Sequence, residues 1–313
     1  MAFADSSSTR MAYVKEVVEG TTPASPAWKT LRYTGEQLQY QKQTVTSNEI
    51  RPDRNVSDVI QVGRQVSGSI NFELSYATLD DLLEGVLGGT WATNVLKNGV
   101  TRHAFSFEKT FEQGATDSFL RYRGCLIGGM SLDITAQQIV TGSVNIMGLG
   151  GSAGTTALGS ATYAAPNANP VLNASSDFAS LAIGGVSPSP RIRSLSLQIE
   201  NNLRAQPEVG NIDLAGIGLG RCVFTGRMEA YFESLALYNA ILNHDDIDLA
   251  FTVGAGSGSK YTVTLPRIKL LNGDPMAGGN DQDVMLPIDF QAIYDASGSP
   301  AFGATMSVTR GVS

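Results

Sequence analysis

The sequence predicts a mainly β protein made of two tandem modules, each a twisted antiparallel sheet or small sandwich flanked by one α-helix. Three observations predict it. Over residues 66–74, Val66, Gly68, Ile70, Phe72 and Leu74 share one parity and Ser67, Ser69, Asn71 and Glu73 the other. Strict period two of this kind marks a strand with one buried and one wetted face. Next, Leu79, Leu82, Leu83, Val86 and Leu87 follow at helical spacing and form one apolar stripe. Lastly, the pattern returns: residues 224–232 lie on 66–74 with a constant offset of 158, so that Gly226 meets Gly68, Met228 meets Ile70 and Phe232 meets Leu74. The register runs on into a second helix, where Leu237 meets Leu79 and Ile241 meets Leu83. Leu195 and Leu197 match Leu38 and Tyr40 upstream, and Ile288 and Phe290 match Val144 and Ile146 downstream. Any alternating strand matches any other, but strand, helix and spacing agreeing together point to a tandem duplication.

The chain of 313 residues has room for one large domain or two ordinary ones, and 42% hydrophobic residues supply a core. Its 34 glycines and few charged residues suit many turns and short strands. A net charge of −7 argues against holding nucleic acid through phosphate contacts. Cys125 and Cys222 stand in apolar stretches and read as small buried hydrophobes rather than a disulfide. No charged-then-apolar leader opens the sequence and no apolar run is long enough to span a bilayer, so the expectation is a soluble protein made in a cytoplasm, without membrane insertion.

Taken in order, residues 1–35 are poor in periodicity, contain Pro23 and Pro26, and read as an N-terminal arm with one short helical option over 11–19. The first module spans 36–151, with strands expected over 37–46, 65–75, 104–111, 119–135 (broken at Gly128-Gly129) and 139–147. Its helix follows the second strand, with Thr78 able to cap it, Asp80 and Asp81 in the first turn and Gly88-Gly89 ending it. Residues 152–190 turn rich in Gly, Ala, Ser, Asn and Pro and read as a linker with little core of its own; 191–313 form the second module.

Candidate chemistry is thin. His244 in Asn-His-Asp-Asp, with Asp248, suggests a metal site, but no second histidine or cysteine completes a ligand set and a solvated helix end explains it as well; His103 reads as a surface or half-buried residue. The run 148–153 mimics a dinucleotide fingerprint, yet a Pro/Asn-rich stretch follows where a helix is required. Gly216, Gly218 and Gly220 suit a turn, two glycosylation-type triplets begin at Asn55 and Asn173, and no nucleophile elbow is present. No active site and no cofactor are expected. The polar parity is more informative. Ser67, Ser69, Asn71 and Glu73 on one strand, and Thr225, Arg227 and Glu229 on its repeat, make a surface that offers a polyanion few contacts; a plain solvated face is the alternative. The stretch 47–64 places Glu49, Asp53 and Asp58 against Arg51, Arg54 and Arg64, beside Asn48, a balance suited to a specific polar contact or to a flexible hairpin.

The run SNEIRPDR, the SGSINFELS strand and LDDLLEGVLGGTW, with GTTPASPAWKTLRYTG upstream, resemble the phage tail tube proteins, the major tail proteins of long-tailed phages; together they cover roughly the first hundred residues. The resemblance implies a structural virion protein. Its modules close side by side into a ring with one shared β-barrel, and rings stack into a tube through which double-stranded DNA passes. If each chain gives two modules, three chains complete a pseudo-sixfold ring. The implied partners are further copies of the chain, a tape-measure protein, and tail-terminator and distal tail proteins. On this reading Asn48, Glu49, Arg51, Asp53, Arg54, Asp58 and Arg64 stack rings, while Ser67, Ser69, Asn71, Glu73, Thr225, Arg227 and Glu229 face the lumen. A secreted β-sandwich that binds carbohydrate or acts as an adhesin is the alternative, and a β-rich hydrolase the third; the first would show exposed aromatic clusters, the second an acid/base pair.

Overall fold

Alternating apolar and polar residues, punctuated by glycine and proline, fold the chain into two layers of mostly antiparallel strands around two helices. The computed structural model describes residues 3–114, 116–187, 189–254, 258–297 and 302–311. β1 (Thr9–Lys15), β2 (Ala27–Thr30), β3 (Gly35–Glu36) and β4 (Gln39–Thr46) lead to the long β5 (Val59–Glu73), helix α1 (Asp80–Leu87) and short β6 (Val95–Lys97). β7 (Phe105–Phe111), β8 (Ser118–Thr135), β9 (Thr141–Gly148) and β10 (Gly150–Gly154) follow, then β11 (Thr162–Ala164) and β12 (Phe178–Ile183). β13 (Ile192–Glu200), the small hairpin β14 (Arg204–Gln206) and β15 (Gly216–Gly218), β16 (Val223–Tyr231) and α2 (Leu235–Asn243) come next. β17 (Asp246–Val253), β18 (Tyr261–Gly273), β19 (Met285–Ala292) and β20 (Ser307–Arg310) end the chain.

One layer is a curled sheet of eight strands in the order β4–β5–β9–β8–β13–β16–β19–β18. The other layer is in two parts: β11–β2–β1–β7–β8–β10 and β12–β17–β18–β20–β6. β8 and β18 belong to both layers. β8 turns from one to the other at Gly124, whose φ of +62° favours glycine and where an added Cβ would lie 2.6 Å from Leu149.

The two halves of the curled sheet follow the same plan in the same register. Val66 opposite Tyr40 and Gly148 stands as Phe224 does opposite Ile199 and Ala292. The bulge between Ile127 and Gly129 in β8 returns between Leu270 and Asn272 in β18, each beside a matching residue of β9 or β19. The irregularity of β7 against β8 after Phe105 returns in β17 against β18 after Ile247. Bulges insert one residue and cost ladder bonds, so their recurrence at matched positions is stronger evidence of a repeat than alternation alone. The sequence pairing of Leu38 and Tyr40 with Leu195 and Leu197 is two residues off: Tyr40 corresponds to Ile199. An alternating strand slides by two without changing which face is apolar, so the pattern could not fix that register. Both helices turn their matched residues inward, Leu79, Leu82 and Leu83 in α1, and Leu237, Ala240 and Ile241 in α2.

Other sequence expectations are corrected. The helical option over 11–19 is strand to Lys15: Met11 and Tyr13 are buried and β1 pairs with β7 along its whole length. Thr78 does not cap α1; its hydroxyl bonds Ser75 and Asn167, and Leu79 holds the N-cap position without a side-chain bond. Gly88 does end α1, in the left-handed conformation at φ +60°, and its N–H bonds the Glu84 carbonyl. β8 runs unbroken through Gly128-Gly129, which form a bulge instead. The Gly/Ala/Pro-rich 152–190 contains β11, most of β10 and β12, and buries Leu172, Ile183 and Val186. Small residues there lie against neighbouring strands, which composition cannot distinguish from a linker.

The ends are tied together at the first turn of α1. The Asp81 carboxylate accepts from Tyr13 (3.0 Å), pairs with Lys15 (2.9 Å) and pairs with Lys29; Asp80 accepts from Tyr261 (2.5 Å) and pairs with Arg310. Burial alone would raise the Asp81 pKa, but hydrogen bonds and charge from Lys29 and Lys15 outweigh it and hold the carboxyl below its ordinary value. A depressed carboxyl contributes stability above the unfolded pKa, and that contribution is lost as pH falls through the folded one. Asp81→Asn is therefore expected to cost about 1–2 kcal/mol near neutrality, limited because both lysines are half-exposed. The difference should shrink below the ordinary carboxylate range, as read by denaturant melts at neutral and acidic pH. A gap that persists in acid contradicts this.

Candidate functional site

No catalytic constellation emerges among the described residues. Among the described residues no group of three or more His, Cys, Asp or Glu could hold a metal ion. His244 is the left-handed residue ending α2, and His103 Nε2 lies 2.6 Å from the Gly89 carbonyl. Cys125 is fully buried and Cys222 half-buried, both free; burial pushes the Cys222 thiol up to about 12. Residues 148–153 pass from β9 into β10, not into a helix. Two surfaces stand out instead.

The first is the polar face of the curled sheet. Ser67, Ser69, Asn71 and Glu73 face Met147, Asn145, Ser143 and Thr141 across the β5–β9 ladder. The same rows continue through Ser131 and Asp133 of β8, Ser194, Ser196 and Gln198 of β13, Thr225, Arg227 and Glu229 of β16, and Asp289 and Gln291 of β19. The face is therefore continuous across both halves of the chain. Its charges are Glu73, Asp133, Glu200, Glu229 and Asp289 against Arg193, Arg227 and, opposite Gln291, Lys269, an acidic excess of two. Arg227 pairs with Asp289 (3.3 Å), not with Glu229 or Glu73: Glu229 is engaged by Arg193 at 3.0 Å. The opposite parity is core. Ile70, Phe72, Met228 and Ala230 are at most 3% exposed, and Phe232 is partly buried against the same cluster. Two aromatic rings pack against glycines in this sheet, Phe72 by Gly142 and Phe290 by Gly226.

The second is the hairpin of β4 and β5. Their ladder reaches Thr46 opposite Val59, leaving residues 47–58 as the turn. Asn48, Glu49, Arg51, Asp53, Arg54 and Asp58 lie in it. Arg51 grips Asp53 with two bonds (3.0 and 2.8 Å), which with Asn55 holds the Asp53 carboxyl well below its usual range; Arg54 adopts φ +61°. Arg64 stands apart. It lies within β5, over the Tyr40 ring and 3.3 Å from Asp213, because the strand begins at Val59, six residues earlier than the expected start at 65. The sequence reading stressed the charges and missed the apolar residues. Ile50 is 98% exposed, and Val45, Val56, Val59, Ile60 and Val62 are all more than half exposed. The crowding of Val59, Ile60 and Val62 on both parities is the available signal, since a strand wetted on both faces gains nothing from it.

The family model described as phage tail tube protein matches residues 6–292, nearly the whole chain. A search of curated proteins finds no match. The chain belongs to the phage tail tube protein family, whose members are structural proteins of the virion tail that assemble with their own copies into a tube.

Proposed function

We propose that, as a phage tail tube protein, this chain closes head to tail in threes. Each chain would supply two repeat units, and the rings would stack into the conduit for double-stranded DNA. The observation that carries this reading is the eight-stranded curled sheet. It is made of two matching halves, has a continuous polar face and ends in an unpaired edge along β4 and, beyond Lys269, along β18. Three such sheets joined edge to edge leave no free edges, which is how barrels avoid uncontrolled aggregation. We divide the chain as the repeat suggests, residues 36–151 and 191–313 being the two tube units. The N-terminal 1–35 and the 152–190 connection add the outer strands.

On this reading the polar face lines the lumen. Phosphates neutralised by Lys or Arg release counterions and would hold the duplex, whereas an acidic wall of small side chains lets it slide. The β4–β5 hairpin, with its paired charges and exposed Ile50 and Val56, links rings. Tape-measure, terminator and distal tail proteins would meet the tube within and at its ends, and assembly would take place in the host cytoplasm. Negative-stain microscopy of the purified protein tests the reading: rings or tubes are expected, and a monodisperse monomer at all concentrations contradicts it. In an infectious particle, Ser69→Lys with Asn71→Lys is expected to permit assembly but slow DNA ejection, more at low salt than at high. Unchanged ejection would remove these residues from the wall.

A further inference from the structure

The join between the two halves of one chain is also a template for the join between two chains. Inside the chain, β8 and β13 pair antiparallel, with Gly129 opposite Glu200, Met130 opposite Ile199 and Leu132 opposite Leu197. The repeat makes β18 the counterpart of β8: Gly273 lies opposite Ile288 as Met130 lies opposite Val144, and Asn272 opposite Asp289 as Gly129 lies opposite Asn145. It likewise makes β4 the counterpart of β13, with Tyr40 in the place of Ile199. β13 and the end of β8 are covered by each other. Among the described residues β4 pairs only with β5, and β18 beyond Lys269 only with β19. Where Met130 continues as strand to Thr135, Gly273 is the last strand residue of β18, and residues 274–284 are largely exposed. A strand that ends where its outer neighbour is missing is what an unpaired edge produces.

We infer that β4 of one copy adds to β18 of the next in the register of the internal join, placing Tyr40 opposite Gly273, Gln41 opposite Asn272, Gln39 opposite Asp274 and Leu38 opposite Pro275. This rests on the tube reading and adds to it which strands meet and in what register. An independent feature agrees with the register. Within the chain the Asn201 N–H bonds the Gly128 carbonyl and the Ala136 N–H bonds the Arg193 carbonyl, so the hydrogen-bonded pairs are every second one, including Leu197 with Leu132. The counterpart pair is Leu38 with Pro275, and proline has no N–H to give. Leu38 needs none. Its carbonyl already accepts from Lys109 Nζ (2.6 Å) and Tyr122 OH (3.2 Å), and its N–H bonds Glu36 (2.9 Å). A shift of register would set Pro275 against a backbone group without such a substitute. The next position fits as well. Asn201 donates its side-chain amide to the Val86 carbonyl near the end of α1, and its counterpart Lys42 would meet the matching end of α2, where a cation is favoured.

The test is disulfide trapping. Gln41 with Asn272, and Gln39 with Asp274, fall at non-hydrogen-bonded pairs, whose close Cα atoms suit a disulfide, and all four residues are exposed. Gln41→Cys/Asn272→Cys and Gln39→Cys/Asp274→Cys, each with Cys222→Ser, are expected to oxidise into covalent dimers and closed trimers on non-reducing gels. The diagonal control Gln41→Cys/Asp274→Cys should give at least about tenfold less, its Cα atoms being too far apart. Tubes that form without these crosslinks, or that favour the diagonal pair, overturn the register and leave the tube reading standing. If the cysteine variants do not assemble, hydrogen exchange on the unaltered chain decides: the Tyr40 and Gly273 amides should gain protection on assembly while Leu38 does not change. Unchanged exchange at Tyr40 and Gly273 overturns the proposal, and a chain that never assembles overturns both it and the tube reading.

Discussion

A chain in which residues 47–58 are replaced by a short Gly/Ser turn is expected to fold and stay soluble but form no tubes. Every side chain from 47 to 56 is partly or fully exposed, and no core residue lies in the turn, so its removal should change stability by no more than about 0.5 kcal/mol. The cost falls on assembly. Exposed apolar side chains on a two-faced hairpin have no use in the monomer, and a contact surface that loses its apolar anchors loses most of its binding energy. Circular dichroism and melting would show an intact fold while sedimentation shows monomers or single rings. Normal tube lengths from this variant would take the hairpin out of ring stacking.

Gly226→Val is expected to give the largest loss of stability of any single change proposed here. A Cβ at Gly226 would sit 2.2 Å from the Phe290 ring and 2.6 Å from the Ser196 carbonyl, atoms of two adjacent strands in the middle of the sheet. Phe290 is 1% exposed and cannot swing away, and the Ser196 carbonyl is backbone. Overpacking of this kind costs about 3 kcal/mol or more, which for a chain of this size lowers Tm by roughly 5 °C. Because β16 lies between β13 and β19, the damage should spread to the polar face and hinder ring closure too. A melt within a degree or so of the unaltered protein would show that the sheet can open at this point.

The strands around residues 66–74 and 224–232 were legible because alternation over many residues admits one reading, and the helices because their stripes follow at once. Register was not: Tyr40 and Ile199 correspond, yet the pattern allowed a slip of two that leaves every side chain on its proper face. β1 was missed because it is buried on both faces: Met11, Ala12 and Tyr13 are covered in succession and Val14 follows, so no period-two alternation appears. The strands within 152–190 were missed because β11 is only three residues long and the apolar residues of β12, Phe178, Leu181 and Ile183, do not keep one parity. The charges of the 47–58 turn were visible in sequence, whereas the exposure of Ile50 and Val56 is a property of the fold alone. Sequence spacing does not reveal the acid that pairs with Arg227; only the β16–β19 ladder shows that Asp289 supplies it.

The most direct measurement is an image reconstruction of the assembled tube by electron cryo-microscopy. Three chains per ring are expected, with eight wall strands from each, Ser69, Asn71 and Glu229 facing the channel, and Ile70 and Phe72 turned away from it. Six chains per ring with one half of each in the wall, or a channel lined by Ile70 and Phe72, would contradict it.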